Sequence, residues 1–124
     1  MNLLPSRTGS LCALAAAATL FSASAGIAQP QYDGVWSVLI HTEKGDCDPG
    51  YRYPVRISNG TLADAGSAGI SISGKVVNGG AITVTVSAAG KSAIGSGRLA
   101  GNSGGGSWVG GSCSGSWTAE RRGA

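Results

Sequence analysis

Chemistry in this chain has a short inventory to draw on: one histidine, three cysteines and six carboxylates in 124 residues. Gly101-Asn102-Ser103-Gly104-Gly105 fits the Gly-x-Ser-x-Gly pattern that presents a serine nucleophile. That chemistry needs a strained strand-to-helix elbow, a histidine base beside the serine and a carboxylate to orient the histidine. No helical pattern follows Ser103, and nothing places His41, the single histidine, next to it. The stretch reads as a glycine-rich turn, and no catalytic residue is assigned.

Other motifs dissolve the same way. Ala88-Ala89-Gly90-Lys91-Ser92 echoes the end of a phosphate-binding loop, but Thr85 stands where the first glycine belongs and a strand pattern follows. Gly95-Ser96-Gly97-Arg98-Leu99-Ala100 echoes a dinucleotide fingerprint without the βαβ unit that gives it meaning. Asp46 and Asp48 flank Cys47. Two carboxylates fall short of the six or more oxygens that Ca²⁺ takes, so a turn closed by Asp side chains is the reading. No cofactor and no metal is expected. His41, beside Thr42 and Glu43, reads as an exposed or rim residue. The patch best suited to binding a partner is Tyr51-Arg52-Tyr53-Pro54-Val55-Arg56. Arg52 and Arg56 share its outward face, where they could grip an acidic partner or simply keep a strand soluble. Pro54 between them suits an edge or a bulge.

The first 28 residues have the order of a secretory signal peptide: Arg7, then the apolar run 11–21, then small residues through Ala28. Cleavage after Ala28 or after Ala25 would satisfy the small-residue rule. The apolar run is shorter than the roughly 20 residues a membrane span needs, and no later run is as apolar for as long. Export, to a periplasmic or extracellular location, is therefore expected. Residues 29–124 are enough for one small domain. They keep eight of the nine Lys and Arg against six Asp and Glu, a charge of +2. The basic residues are scattered, so nucleic acid is not an expected partner. Arg121-Arg122, the one doublet, reads as a solvated, frayed tail.

Cys12 falls within the signal, leaving Cys47 and Cys113. An even cysteine count in an exported chain favours a disulfide. Closing a loop of about 66 residues contributes roughly 4 kcal/mol in the chain-entropy account.

The element that must position all of these is the β-strand. Ile82-Thr83-Val84-Thr85-Val86-Ser87 alternates apolar and polar, as a half-buried strand requires. Tyr51, Tyr53, Val55 and Ile57 share one face; so do Trp36, Val38 and Ile40; so do Ile70, Ile72 and Val76; so do Cys113, Gly115, Trp117 and Ala119. Asp48-Pro49-Gly50, Ser58-Asn59-Gly60, Asn78-Gly79-Gly80, Ala89-Gly90 and the stretch 101–104 separate these runs as tight connections. Between Ser92 and Leu99, Ile94 and Leu99 have opposite parity, so either a bulge intervenes or one of them is exposed. Seven or eight short strands follow, and an all-β fold: a small antiparallel up-and-down barrel or a compact sandwich. The cysteines favour the barrel. Its first and last strands are antiparallel neighbours, which brings Cys47, just after the first run, beside Cys113, at the start of the last.

All three tryptophans stand in Gly-x-Trp units: Gly34-Val35-Trp36, Gly106-Ser107-Trp108 and Gly115-Ser116-Trp117. The pairing of a residue without a side chain and the largest apolar one reads as construction. The indoles are expected to fill a small core and so to be unavailable to a ligand. The first unit, Gly34 and Trp36 near the start of a single antiparallel barrel, resembles the calycins: lipocalins, avidins and the small bacterial barrel inhibitors. Gly95 to Leu99 and Cys113 to Arg122, and the chain from residue 29 as a whole, resemble short exported bacterial all-β proteins. These resemblances imply fold and export, and no mechanism.

The function class expected is a non-enzymatic binding or interaction module whose partner is a protein or envelope component. The alternatives are an inhibitor of an extracytoplasmic hydrolase, presenting 43–50 or 101–106 as a protruding loop, and a carrier of a small apolar ligand. A carrier needs an open interior of a few hundred Å³.

Overall fold

The computed structural model describes residues 30–124; the expected signal peptide and its cleavage site lie outside the described residues. Eight strands run in chain order round a closed antiparallel barrel, each bonded to the next and the last to the first. They are β1 (Gly34–Lys44), β2 (Gly50–Ser58), β3 (Thr61–Asp64), β4 (Ile70–Val76), β5 (Ala81–Ala88), β6 (Lys91–Ala100), β7 (Ser103–Gly110) and β8 (Cys113–Gly123). Single 3-10 turns, Pro30–Tyr32 and Asn78–Gly80, precede β1 and β5. The barrel is thus realised and the sandwich is not.

Turn chemistry sets much of the connectivity. Register places Ser58 opposite Thr61 and Ala88 opposite Lys91, so Asn59-Gly60 and Ala89-Gly90 are two-residue hairpin loops. Both central residues of each have positive φ, the geometry that matches the twist of the flanking strands. The loops 101–102 and 111–112 are equally short. The turn at 101–102 is tighter than the glycine composition suggests: Ser103 to Gly106 lie inside β7, so no loop protrudes across 101–106.

The Cys47–Cys113 disulfide has a Cα separation of 6.2 Å and links the β1–β2 loop to the start of β8, at the seam where the barrel closes. Alternation along β6 resolves the parity conflict without a bulge. Leu99 is buried and Ile94 is 54 % exposed, while the ladders to β5 and β7 run without a break.

The core lies along the barrel axis. It collects Trp36, Val55, Ile57, Leu62, Ile72, Val76, Ile82, Leu99, Trp108 and Trp117, one inward row from each strand. Glycines occupy much of the inward row on β6, β7 and β8. A Cβ on Gly97 would come within 2.8 Å of the Trp117 ring, and one on Gly106 would strike the Ser96 carbonyl. Gly106 lies opposite Trp117, and Gly115 opposite Trp108. Each indole therefore lies across the space its neighbour's glycine leaves.

Candidate functional site

The two ends of the barrel differ. At the end where β1 begins, the Pro30–Tyr32 turn crosses the opening and Tyr32 is buried. The Trp36 indole donates to the Tyr32 carbonyl at 2.8 Å and is 1 % exposed. The Arg121 guanidinium lies 4.9 Å from the Trp36 ring centroid. It donates to the carbonyls of Asp33 (2.7 Å), Gln31 (3.0 Å) and Gly101 (3.1 Å) and to Asn102 Oδ1 (2.9 Å). The expectation of a frayed tail at Arg121 is overturned: β8 continues to Gly123, and Arg121 follows Ala119 on the inward row. The Asp33 carboxylate accepts from the Asn59 and Gly60 amides, tying the β2–β3 hairpin to the same closure.

Above this floor is a cavity of about 480 Å³ that reaches the opposite end of the barrel. Its walls are Val38, Ile40, Val55, Ile72, Val84, Val86 and the indoles of Trp108 and Trp117, and its rim includes Cys47, Tyr51, Lys91, Ser92 and Ser112. The expectation that the tryptophans fill the interior is therefore corrected. They line it instead, because the inward glycines let the rings lie against the wall. An eight-stranded barrel encloses just enough room for side chains or one small ligand, and replacing side chains by hydrogen on three strands tips that balance toward a lumen.

The wall offers little polarity. Trp108 Nε1 donates to the His41 carbonyl (3.1 Å), and Trp117 Nε1 to those of Ser96 and Ser107 (3.2 Å each). With the Trp36 bond, every indole N–H is spent on backbone. Tyr51 and Tyr53 stack with ring centroids 5.7 Å apart. Burial, and then the neighbouring Tyr51, raises the Tyr53 pKa; loss of solvent, and then the nearby Asp48 carboxylate, raises that of Tyr51.

The residues singled out by type fall apart in space. Ser103 starts β7 opposite Glu120, whereas His41 pairs with Ser116 near the open end. Those two β8 positions are four residues apart, about 13 Å along the strand, so Ser103 and His41 do not meet. Asp46 and Asp48 lie in the loop 45–49, which Thr42 anchors through bonds to the Pro49 and Asp48 carbonyls. Cys47 is held in the disulfide. Arg52 and Arg56 lie outside the barrel, opposite Leu39 and Val35. Arg52 donates to Ser37 Oγ at 2.9 Å, and neither arginine lines the lumen. Pro54 accepts from the Ala65 amide, so its missing N–H faces β3, whose ladder with β2 has ended at Val55 and Asp64. It occupies a local edge within a closed barrel.

Sequence reasoning missed Arg121 and Lys91 as inward residues. Parity carried both: Arg121 continues the row Cys113–Ala119, and Lys91 the row Ala93–Leu99. Comparison with protein-family models, curated proteins and solved structures finds no match to this chain.

Proposed function

We propose that this protein is an exported, non-enzymatic barrel that takes one small apolar molecule into its lumen. The observation that carries the reading is the cavity of about 480 Å³, closed at one end, open at the other and apolar between. That size falls within the range of ligand-binding clefts, which are largely apolar with a few placed polar groups. The disulfide fits an oxidising compartment. Outward rows such as Thr83, Ser96, Ser107 and Ser116, opposite one another on β5 to β8, face water with hydroxyls. A bilayer-spanning barrel carries the reverse arrangement, apolar outside and polar within. Gly34 and Trp36 opening the first strand of a closed antiparallel barrel are the context that the calycin resemblance implies.

The test is titration with an apolar fluorophore. One molecule is expected per chain, with a change in tryptophan emission, because Trp108 and Trp117 line the site. Val86→Phe, which fills the lumen from β5, should abolish binding and leave the melting temperature near that of the parent. Unchanged binding in that variant would sink the reading.

One observation favours a second reading, inhibition of a hydrolase. The exposed loop 43–50 is ordered by the Thr42 bonds and the disulfide, as an inhibitory loop must be. Full activity of a lysozyme and protease panel in its presence would remove this reading.

A further inference from the structure

Among the described residues Lys91 is the one charged residue that lines the lumen. It opens β6 opposite Ala88, on the same inward row as Ala93, Gly95 and Leu99, so its stem starts at the rim and its apolar neighbours lead to the floor. Among the described residues the one ion pair joins Arg122 to Glu120, and Lys91 takes no part in it. A long cationic side chain readily lays its methylenes on apolar surface and keeps its ammonium at the water boundary.

The rest of the rim decides what that ammonium can meet. Deeper in, all three indole N–H groups are bonded to backbone carbonyls and offer nothing to a head group, which leaves the Tyr53 phenol, one inward step below Tyr51, as the polar side chain of the upper wall. Across the ring, four strands away, the Asp48 carboxylate lies close enough to the Tyr51 hydroxyl to raise its pKa. That side of the mouth repels an anion, and the Lys91 side attracts one. The Ser92 and Ser112 hydroxyls lie on the same rim.

We infer that the lumen takes a single-chain amphiphile with an anionic head, the tail inside the barrel and the head held at the rim by Lys91. The inference rests on the lumen reading given above. At about 30 Å³ per water-sized group, the cavity accommodates a tail of roughly 12–16 carbons. A carboxylate or a phosphate head would satisfy the ammonium through charge-assisted hydrogen bonds.

The experiment is displacement of the bound fluorophore by dodecanoate, dodecyl phosphate, dodecanol and dodecyltrimethylammonium, each kept below its micelle concentration. The anions are expected to bind roughly five- to tenfold more tightly than the alcohol, and the cation more weakly than both. Either order between the two anions supports the proposal and identifies the head. The preference should shrink with added salt, vanish in Lys91→Met, persist in Lys91→Arg and reverse in Lys91→Glu. Lys91 is exposed, so these variants keep the fold. Equal binding of alcohol and anion, or a preference that survives Lys91→Met, overturns this inference and leaves the lumen reading intact. If no probe binds at all, the lumen reading itself fails.

Discussion

The closed and open ends of the barrel are built from the same alternating strands and differ in what their inward positions carry. At the closed end the inward residues are large, Trp36 and Leu99, and the guanidinium of Arg121 beneath them is satisfied by three carbonyls and Asn102. At the open end Tyr51 and Trp108 stand beside small residues, Ala88 and Ser112, and beside Lys91, whose ammonium is in no ion pair among the described residues. One end spends its polar groups on the protein's own backbone. The other leaves an ammonium unspent. The contrast separates residues that hold the barrel shut from residues whose partner must come from outside.

Breaking the closed end should cost most. Trp36→Ala removes a fully buried indole and is expected to destabilise by about 3–5 kcal/mol, measured by denaturant unfolding. Lys91→Met at the open end should fall within about 0.5 kcal/mol of the parent. Similar losses in both would erase the distinction. Arg121→Met keeps much of the stem and loses the hydrogen bonds and the ring contact, for an expected loss of about 2 kcal/mol. Proteolysis within 30–33 should rise in step, since Arg121 holds that turn. The smallest effect concerns the rim. Tyr51 and Tyr53 hold their protons more tightly folded than unfolded, so stability falls as pH climbs above about 10. The phenolate absorbance lost in the Tyr51→Phe, Tyr53→Phe double variant should develop above the ordinary tyrosine range, and that variant should show a flatter stability profile there.

Strand periodicity made the barrel legible. Val84 and Val86, or Tyr53 and Val55, declare their faces by alternation alone, and the two cysteines mark the seam. Arg121 was not legible because a basic doublet near a chain end has the composition of a solvated tail. Its role depends on a neighbour, Trp36, that is 85 positions away. The lumen was hidden for a different reason. Its volume is a difference between the girth of eight strands and the side chains inside it, and the inward glycines that enlarge it, Gly95, Gly97 and Gly106, look in sequence like turn residues.

The reciprocal opposition of Gly106 with Trp117 and of Gly115 with Trp108 also acts as a check during folding. Two glycine-rich strands with polar outer faces are poorly constrained in alignment. Here a slip of two residues, the smallest that keeps the same faces inward, sets Trp108 against Trp117 in one direction. In the other it sets Gly106 against Gly115. The first alignment collides and the second leaves a hole, so the spacing of two short words rejects its own misreadings.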